Sequence, residues 1–192
     1  MTIFLVRHGE TEWNLLGRFQ GWSDSPLTAR GVAQADAIGR LLRDLPEAAT
    51  AAIVASPLGR ARRTAEIIAA CLGHDAPIRF DDRLREISLG SRDGIDRAEL
   101  HARFPEMFKG DGRAEWYFRS PDGETYEAFA SRISSWLAEQ EESPVIAVCH
   151  GVVTRVMRGL YAHLPRAEAL RLPVPQDRIF RLAAGRIEEI AA

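Results

Sequence analysis

Two short, continuously apolar runs predict strands that are buried on both faces. Residues 2–6 and 145–149 are rich in β-branched side chains and lack the alternation of a half-exposed strand. The remaining strand candidates are weaker: 51–55, 77–80, and a terminal hairpin of 179–182 and 186–190 joined at Ala184-Gly185.

Between these runs, apolar residues recur at helical spacing. Thr28 is the predicted N-cap of a helix whose apolar face is Val32, Ala35, Ile38, Leu41, Leu42 and Leu45. Ser56-Pro57 resembles an N-cap followed by proline in the first turn, before an apolar stripe of Ala61, Ala65, Ile68 and Leu72. The other predicted helices span 97–103, 124–139 and 152–161.

Strands that alternate with helices predict an α/β fold, with a mostly parallel central sheet and helices on both of its faces. At ~150 residues per domain, 192 residues without an internal repeat predict one domain over 1–192. Residues 91–123 are rich in glycine, charged and aromatic side chains. We therefore expect this segment to form an insertion or lid on the substrate side.

Composition and charge exclude several classes of protein. With 46% apolar and 27% charged residues, the chain is neither disordered nor fibrous. The first apolar run stops at Arg7-His8, and no run approaches the ~20 apolar residues of a membrane helix. Cys71 and Cys149 are the only cysteines, which favours a reducing compartment, so we expect a cytoplasmic protein. A net charge of -2 argues against nucleic acid as a partner.

Both of the strongest strand candidates end on histidine-glycine, at His8-Gly9 and His150-Gly151. Ligands of open parallel sheets bind beyond the carboxyl ends of the strands, so the two imidazoles face one pocket if these strands are neighbours. Arg60 is expected in the first turn of its helix, where backbone N–H groups favour an anion. Two imidazoles with Arg7 and Arg60 suit a phosphoryl group.

Five blocks of sequence, spanning 5–151, carry a resemblance to a known family. The blocks are Leu5-Val6-Arg7-His8-Gly9-Glu10-Thr11-Glu12-Trp13-Asn14, Gln20-Gly21-Trp22-Ser23-Asp24-Ser25-Pro26-Leu27-Thr28 with Gly31, Ser56-Pro57-Leu58-Gly59-Arg60-Ala61 with Thr64, Leu84-Arg85-Glu86 with Gly90, and Val148-Cys149-His150-Gly151. In this order they resemble the motifs of the histidine phosphatase superfamily, also called phosphoglycerate-mutase-like.

The resemblance implies a role for each matched residue. His8 is the expected nucleophile, which forms a phosphohistidine, and Glu86 the expected proton donor and acceptor. Arg7, Arg60 and His150 are expected to hold the phosphoryl oxygens. Further phosphate or substrate contacts are expected from Asn14, Gln20, Gly21 and Gly151. The family needs no metal or organic cofactor for this chemistry, and its substrate is a small phosphomonoester.

Elementary chemistry agrees with these roles. A histidine attacks phosphorus only as neutral imidazole, and neighbouring arginines favour that form by lowering the pKa of His8. The same charges stabilise the equatorial oxygens of a loose transition state. A leaving alkoxide needs a proton, so Glu86 must be partly buried to supply one. If Glu86 is instead a solvated partner of Arg83 or Arg85, then Asp82 and Glu124 are the nearby alternatives.

Other readings of the chain remain open. Cys149 and Arg155 have the C-x5-R spacing of cysteine-dependent phosphatases, although the β-branched residues between them suit a buried strand and helix better than a phosphate loop. A catalytically inactive phosphate-binding domain is a further alternative. The three remaining histidines, His74, His101 and His163, lack the spacing of zinc ligands. Both a monomer and a homodimer are compatible with the sequence.

A hydrolase fits better than a cofactor-dependent mutase. Cofactor-dependent mutases resemble one another in a lysine-containing stretch after the catalytic acid, and the residues after Glu86 do not match that stretch. The leaving group would be selected by residues 91–123. Its arginines could recognise a carboxylate or second phosphate, and its aromatic residues could stack on a sugar or base or simply pack under a loop: Arg92, Arg97, Arg103, Arg113, Arg119, Trp116, Tyr117 and Phe118. Residues 121–125 could close the pocket.

Overall fold

A mixed sheet forms the centre of the molecule in a computed structural model that describes residues 1–73, 77–109, 115–140 and 144–192. Within these ranges the strands are β1 (Thr2–Arg7), β2 (Ala52–Ala55), β3 (Arg79–Phe80), β4 (Pro144–Cys149), β5 (Arg178–Ala183) and β6 (Arg186–Ala191). Their order in space is β3-β2-β4-β1-β5-β6. The first four in this order pair in parallel, whereas β5 runs antiparallel to both β1 and β6.

Helices cover both faces of the sheet, as the sequence predicts. They are α1 (Glu12–Leu15), α2 (Ala29–Arg43), α3 (Gly59–Leu72), α4 (Arg97–Arg103), α5 (Tyr126–Ala138), α6 (Gly151–Tyr161) and α7 (Arg166–Ala169). Successive side chains of a strand point to opposite faces, and β1 shows this directly. Phe4 and Val6 pack with α2 and α3, whereas Ile3 and Leu5 pack with α5 and α6.

The strand predictions are confirmed, including the terminal hairpin, and each predicted helix is present with small shifts of its ends. Thr28 is the N-cap of α2, with its side chain accepting from the amide of Gly31. Val32, however, is 40% exposed and does not belong to the buried stripe. The short helices α1 and α7 have no apolar periodicity and were not predicted.

One helix prediction is wrong at its start. α3 begins at Gly59, the N-cap position is Leu58, and no side chain caps the helix there. Ser56 lies before this turn, and its hydroxyl contacts the ring of His150 at 2.8 Å instead. A serine before proline can cap a helix or can contact another side chain. Here the hydroxyl is bonded to the imidazole of His150.

Candidate active site

His8 and His150 meet at the carboxyl ends of two neighbouring strands. Arg7 is paired with Cys149 in the parallel register of β1 and β4, so the next residue of each strand is a histidine. The amide of His8 donates to the carbonyl of Cys149 at 3.0 Å, and the two ring centroids are 5.2 Å apart. The chain leaves β1 towards β2 and leaves β4 towards β5, in opposite directions. This reversal is the place where parallel sheets bind ligands.

His8 is a buried ring with one nitrogen held and one free. Its Nδ1 lies 2.8 Å from the carbonyl oxygen of Gly9, which can only accept, so Nδ1 carries the proton. Burial lowers the pKa of His8 well below 6.5, and the charges of Arg60 and Arg7 lower it further. The neutral ring therefore keeps a lone pair on Nε2, as a nucleophile must.

The backbone around His8 approaches its neighbours too closely for side chains. A Cβ on Gly9 would lie 2.3 Å from the carbonyl oxygen of Gly31, and one on Gly31 would lie 2.0 Å from that of Glu10. Glycine at both positions lets the start of α2 lie against the turn that follows β1. This contact fixes the path of the chain immediately after the catalytic histidine candidate.

Arg60 is the second residue of α3 and is 1% exposed. Its two terminal nitrogens donate to the carbonyls of Gly21 and Ser23, each at 2.8 Å, and one of them pairs with Asp24 at 3.1 Å. Burial lowers the pKa of Arg60, opposed by Asp24. These hydrogen bonds to both terminal nitrogens fix the orientation of the guanidinium, and with it the direction of the Nε–H bond.

Arg7, Arg60 and His150 share a second property. Among the described residues, each has one buried nitrogen without a hydrogen-bond partner: Nε of both arginines and Nδ1 of the histidine. The charges of Arg7 and Arg60 also lower the pKa values of both His8 and His150. Buried hydrogen-bond donors normally have partners in a folded protein. Three unpaired nitrogens at one site are therefore the arrangement expected of a binding site for an anion, which would accept hydrogen bonds from them.

Glu86 is 7% exposed and borders the same cavity. Its two carboxyl oxygens accept from the backbone amides of Ile87 and Val152, each at 3.0 Å, and the second amide belongs to the first turn of α6. The group is therefore fixed in orientation. The alternative that Glu86 is a solvated partner of Arg83 or Arg85 is wrong.

The nearby acids have other partners. Asp82 is exposed and pairs with Arg85, while Glu124 pairs with Arg132 at 2.7 Å. Neither borders the cavity. Of the three acids that the sequence left open, the structure brings only Glu86 to His8.

The other predicted contact residues differ in position. Asn14 and Gln20 both border the cavity, and Asn14 also closes the capping box of α1 with Thr11. Gly151 borders it as well, and a Cβ there would lie 3.7 Å from both Arg7 Nε and Glu86 Oε2. Gly21 does not: its amide donates to Asp93 and its carbonyl accepts from Arg60, so it supports the site from behind.

The cavity has a volume of about 400 Å³. It is lined by Arg7, His8, Asn14, Gly17, Arg18, Phe19, Gln20, Glu86, Arg97, Tyr117, Gly151, Val152, Arg155 and Val174. Arg60 and His150 lie beneath its floor. A larger groove of about 770 Å³ runs beside β3, but no histidine lines it. We therefore do not take the larger groove as the candidate active site.

The outer wall of the cavity is cationic. Arg18 and Arg97 are exposed, and their guanidinium groups lie over the rings of Trp13 and Phe19 respectively. Arg155 donates to the hydroxyl of Tyr117 at 3.2 Å. Arg18 and Arg155 carried no prediction in this role. The segment 91–123 contributes Arg97 and Tyr117 to the lining.

The other described residues of the segment 91–123 do not line the cavity. Arg92 and Arg119 donate to carbonyls within the insertion, and Arg103 pairs with Glu99 at 2.5 Å. Arg113 lies outside the described residues, as does His74. Trp116 and Phe118 pack in the core, and residues 121–125 do not border the cavity.

The segment 172–176 was missed by the sequence interpretation. Three consecutive carbonyls, of Leu172, Pro173 and Val174, accept from Arg155, Arg158 and Arg7 respectively. Gln176 then donates to the carbonyl of His8 at 3.0 Å. Arg158 is buried against the ring of Phe180, and burial lowers its pKa to about 10. These contacts hold Val174 at the cavity beside Arg7.

Cys149 does not share this environment. It is buried as the last residue of β4, and burial raises the pKa of its thiol. It does not border the cavity. In the described part of the chain there is no cluster of three or more metal-ligating side chains. No helix in the same residues has the length and hydropathy to cross a membrane.

A family model described as "Histidine phosphatase superfamily (branch 1)" matches residues 3–186. The chain belongs to this superfamily. It is 38% identical over 193 residues to "Probable phosphoglycerate mutase GpmB" of Citrobacter koseri, with 95% of this chain and 84% of that protein covered.

Solved structures of the superfamily share the fold. YhfR of Bacillus stearothermophilus has a TM-score of 0.81 and 32% identity over 99% of this chain and 95% of its own. A mycobacterial glucosyl-3-phosphoglycerate phosphatase, in complex with VO3, has a TM-score of 0.78 and 28% identity over 100% and 96%. The fold is therefore that of the phosphoglycerate-mutase-like proteins, and the chain is an enzyme that acts on phosphate esters.

Proposed function

We propose that this enzyme hydrolyses small phosphomonoesters through a phosphohistidine on His8, without a metal ion. The observation that carries the proposal is the arrangement of His8: Nδ1 is bonded to the carbonyl of Gly9, Nε2 is left with a lone pair, and the charges of Arg60 and Arg7 help keep the ring neutral. Positioning and electrostatic stabilisation supply most of the catalysis of phosphoryl transfer. The buried nitrogens of Arg7, Arg60 and His150 supply both.

The reaction has two steps. Nε2 of His8 attacks phosphorus, the ester P–O bond breaks, and protonated Glu86 gives its proton to the leaving oxygen. The Glu86 carboxylate then takes a proton from water, whose oxygen attacks phosphorus while the P–N bond breaks. Orthophosphate leaves, and both side chains return to their starting states. One residue can serve both steps because its carboxyl group borders the cavity and is fixed by the amide of Val152 in α6.

Release of p-nitrophenol from p-nitrophenyl phosphate tests the proposal. We expect turnover that persists in EDTA, disappears in His8→Ala and persists in Cys149→Ala. Full activity of His8→Ala would contradict it. Loss of activity in a folded Cys149→Ala protein would instead support the cysteine mechanism.

The cationic outer wall supports a substrate whose leaving group bears a second anion, a carboxylate or phosphate. Arg18 and Arg97 have no carboxylate partner among the described residues. Among the described residues that line the cavity, Glu86 is the one acidic side chain. The sharp comparison is 3-phosphoglycerate against glycerol 3-phosphate, which differ by a carboxylate in place of a hydroxymethyl group. We expect a higher kcat/KM for the first.

A phosphoglycerate mutase is the second candidate, favoured by the name of the GpmB relative. It shares the phosphohistidine step, after which a substrate hydroxyl rather than water takes the phosphoryl group. The assay is interconversion of 3- and 2-phosphoglycerate with 2,3-bisphosphoglycerate supplied. Isomerisation faster than phosphate release would favour the mutase over the hydrolase.

A further inference from the structure

The hydroxyl of Ser56 contacts the ring of His150 beneath the floor of the cavity. Both side chains are fully buried, and Ser56 Oγ lies 2.8 Å from His150 Nε2. The contact is held rigidly, because Ser56 directly follows β2 and its amide donates to the carbonyl of Val148 in β4 at 2.9 Å. The amide of Leu58 also donates to Ser56 Oγ, at 3.3 Å.

These contacts decide which way the hydroxyl points. A serine has one proton to donate, and its oxygen accepts from Leu58. If His150 Nε2 also donated to that oxygen, the serine proton would have no acceptor among the described residues, at a fully buried position. A buried donor without an acceptor is unfavourable, because it has given up its hydrogen bonds to water and gained none in return. If Ser56 instead donates to Nε2, the hydroxyl proton, the hydroxyl oxygen and Nε2 all have partners, so this arrangement leaves fewer buried groups unpaired.

The proton of the imidazole then lies on the other nitrogen. His150 is neutral, because burial lowers its pKa well below 6.5 and Arg60, His8 and Arg7 lower it further. A neutral ring whose Nε2 accepts a hydrogen bond carries its proton on Nδ1. Nδ1 is the buried nitrogen that has no partner among the described residues.

We propose that Ser56 is a positioning residue, which imposes the Nδ1–H tautomer on His150 so that Nδ1 donates to a phosphoryl oxygen. The proposal rests on the proposed function for the place of the phosphoryl group. The opposite tautomer would present a lone pair to an anionic oxygen and repel it. Ser56 therefore acts through His150 without contacting the substrate, and the neutral ring contributes a directed hydrogen bond where Arg7 and Arg60 contribute charge.

Histidine ¹⁵N NMR of the unliganded enzyme at neutral pH reads the tautomer directly. His150 is assigned by the signals that disappear in His150→Gln. We expect the wild type to show a protonated Nδ1 and an unprotonated Nε2, and Ser56→Ala to show a proton on Nε2 in part or whole. A wild-type proton on Nε2, or on both nitrogens, overturns the proposal, as does an unchanged His150 spectrum in folded Ser56→Ala. The wild-type spectrum decides alone if that variant does not fold.

Thr64→Ala is the matched control. Thr64 is also a buried hydroxyl beneath the site, but it accepts from Gly9 and donates to the carbonyl of Arg60. We expect the His150 tautomer to be unchanged in this variant. A shift as large as that of Ser56→Ala would show a general loosening of the site and overturn the specific role.

Kinetics supply the second readout. We expect Ser56→Ala to lower kcat by about 10- to 100-fold, somewhat less than the roughly 10²–10³-fold cost of removing a transition-state donor, because the donor remains in part. Ser56→Thr keeps a hydroxyl and should recover most of the activity together with the wild-type tautomer. Recovery without that tautomer overturns the proposal. A wild type with the expected spectrum but no hydrolysis would overturn the proposed function and still support the tautomer.

Discussion

The two ends of the cavity are built in opposite ways. At the inner end His8, His150 and Arg60 are buried, and every one of them is held by backbone or side-chain hydrogen bonds. At the outer end Arg18 and Arg97 are exposed and rest on aromatic rings. Because its side chains are held in place, the inner end is suited to one reaction, the transfer of a phosphoryl group. Substitutions at the exposed outer end can change which leaving group is accepted with little cost in folding stability. Substitutions at the two ends should therefore differ in size and in kind.

The largest effect is expected at the inner end, from His8→Ala. Loss of a nucleophile costs on the order of 10⁴–10⁶ in kcat, as in other covalent mechanisms. The substrate should still bind, because Arg7 and Arg60 remain. Phosphate release measured with several phosphomonoesters checks this prediction. Activity within tenfold of the wild type on any of them would contradict the role of His8 as the nucleophile.

Glu86→Gln should follow, with a loss of about 10²–10⁴-fold in kcat for alkyl phosphates. p-Nitrophenolate leaves without a proton, so the loss for p-nitrophenyl phosphate should be much smaller. The matched control is Asp82→Asn, which changes an exposed acid paired with Arg85. Equal losses on both classes of substrate would show that Glu86 is not the proton donor.

The buried histidines should also make stability depend on pH. Their pKa values in the folded protein lie well below 6.5, so the unfolded chain binds more protons as the pH falls through 6.5. The unfolding free energy should then fall by about 1.4 kcal/mol per pH unit for each ring. Urea unfolding between neutral pH and pH ~5 measures the slope. His8→Gln should reduce it, and an unchanged slope would contradict the burial of a neutral ring.

The smallest effect is expected at the outer end. Arg97→Gln should lower kcat/KM for 3-phosphoglycerate by about fivefold, the equivalent of ~1 kcal/mol for an exposed ion pair, and leave glycerol 3-phosphate unaffected. Arg103→Gln is the matched control, because it lies on the same helix but pairs with Glu99 away from the cavity. Equal effects on the two substrates would remove the role of Arg97 in recognising an anion.

The inner end was also the more predictable from the sequence. β1 and β4 are short apolar runs typical of buried strands, and each leads into His-Gly. The sequence therefore placed His8 beside His150 on the condition that the two strands are neighbours, and the parallel pairing of β1 with β4 meets that condition. Arg60 followed from the start of α3. Local pattern and topology together determine these positions.

The remaining contacts depend on the path of the chain in space. Nothing in the spacing of Arg155 or Arg158 reveals that they bind successive carbonyls of 172–176, since any arginine can donate to any free carbonyl. Ser56 was misjudged because a serine before proline usually caps a helix. Of the three aromatic residues at 116–118, Trp116 and Phe118 pack in the core and Tyr117 lines the cavity. The tertiary packing determines this division, and the sequence pattern does not reveal it.

The most direct measurement is isolation of the covalent intermediate. After brief mixing with a ³²P-labelled phosphomonoester and denaturation, mass spectrometry of the labelled peptide should place the phosphoryl group on His8, with acid-labile and base-stable linkage. The label should be absent in His8→Ala and should accumulate when the second step is slowed in Glu86→Gln with p-nitrophenyl phosphate. A label on Cys149, or turnover in which no label can be trapped on any histidine, would contradict the account.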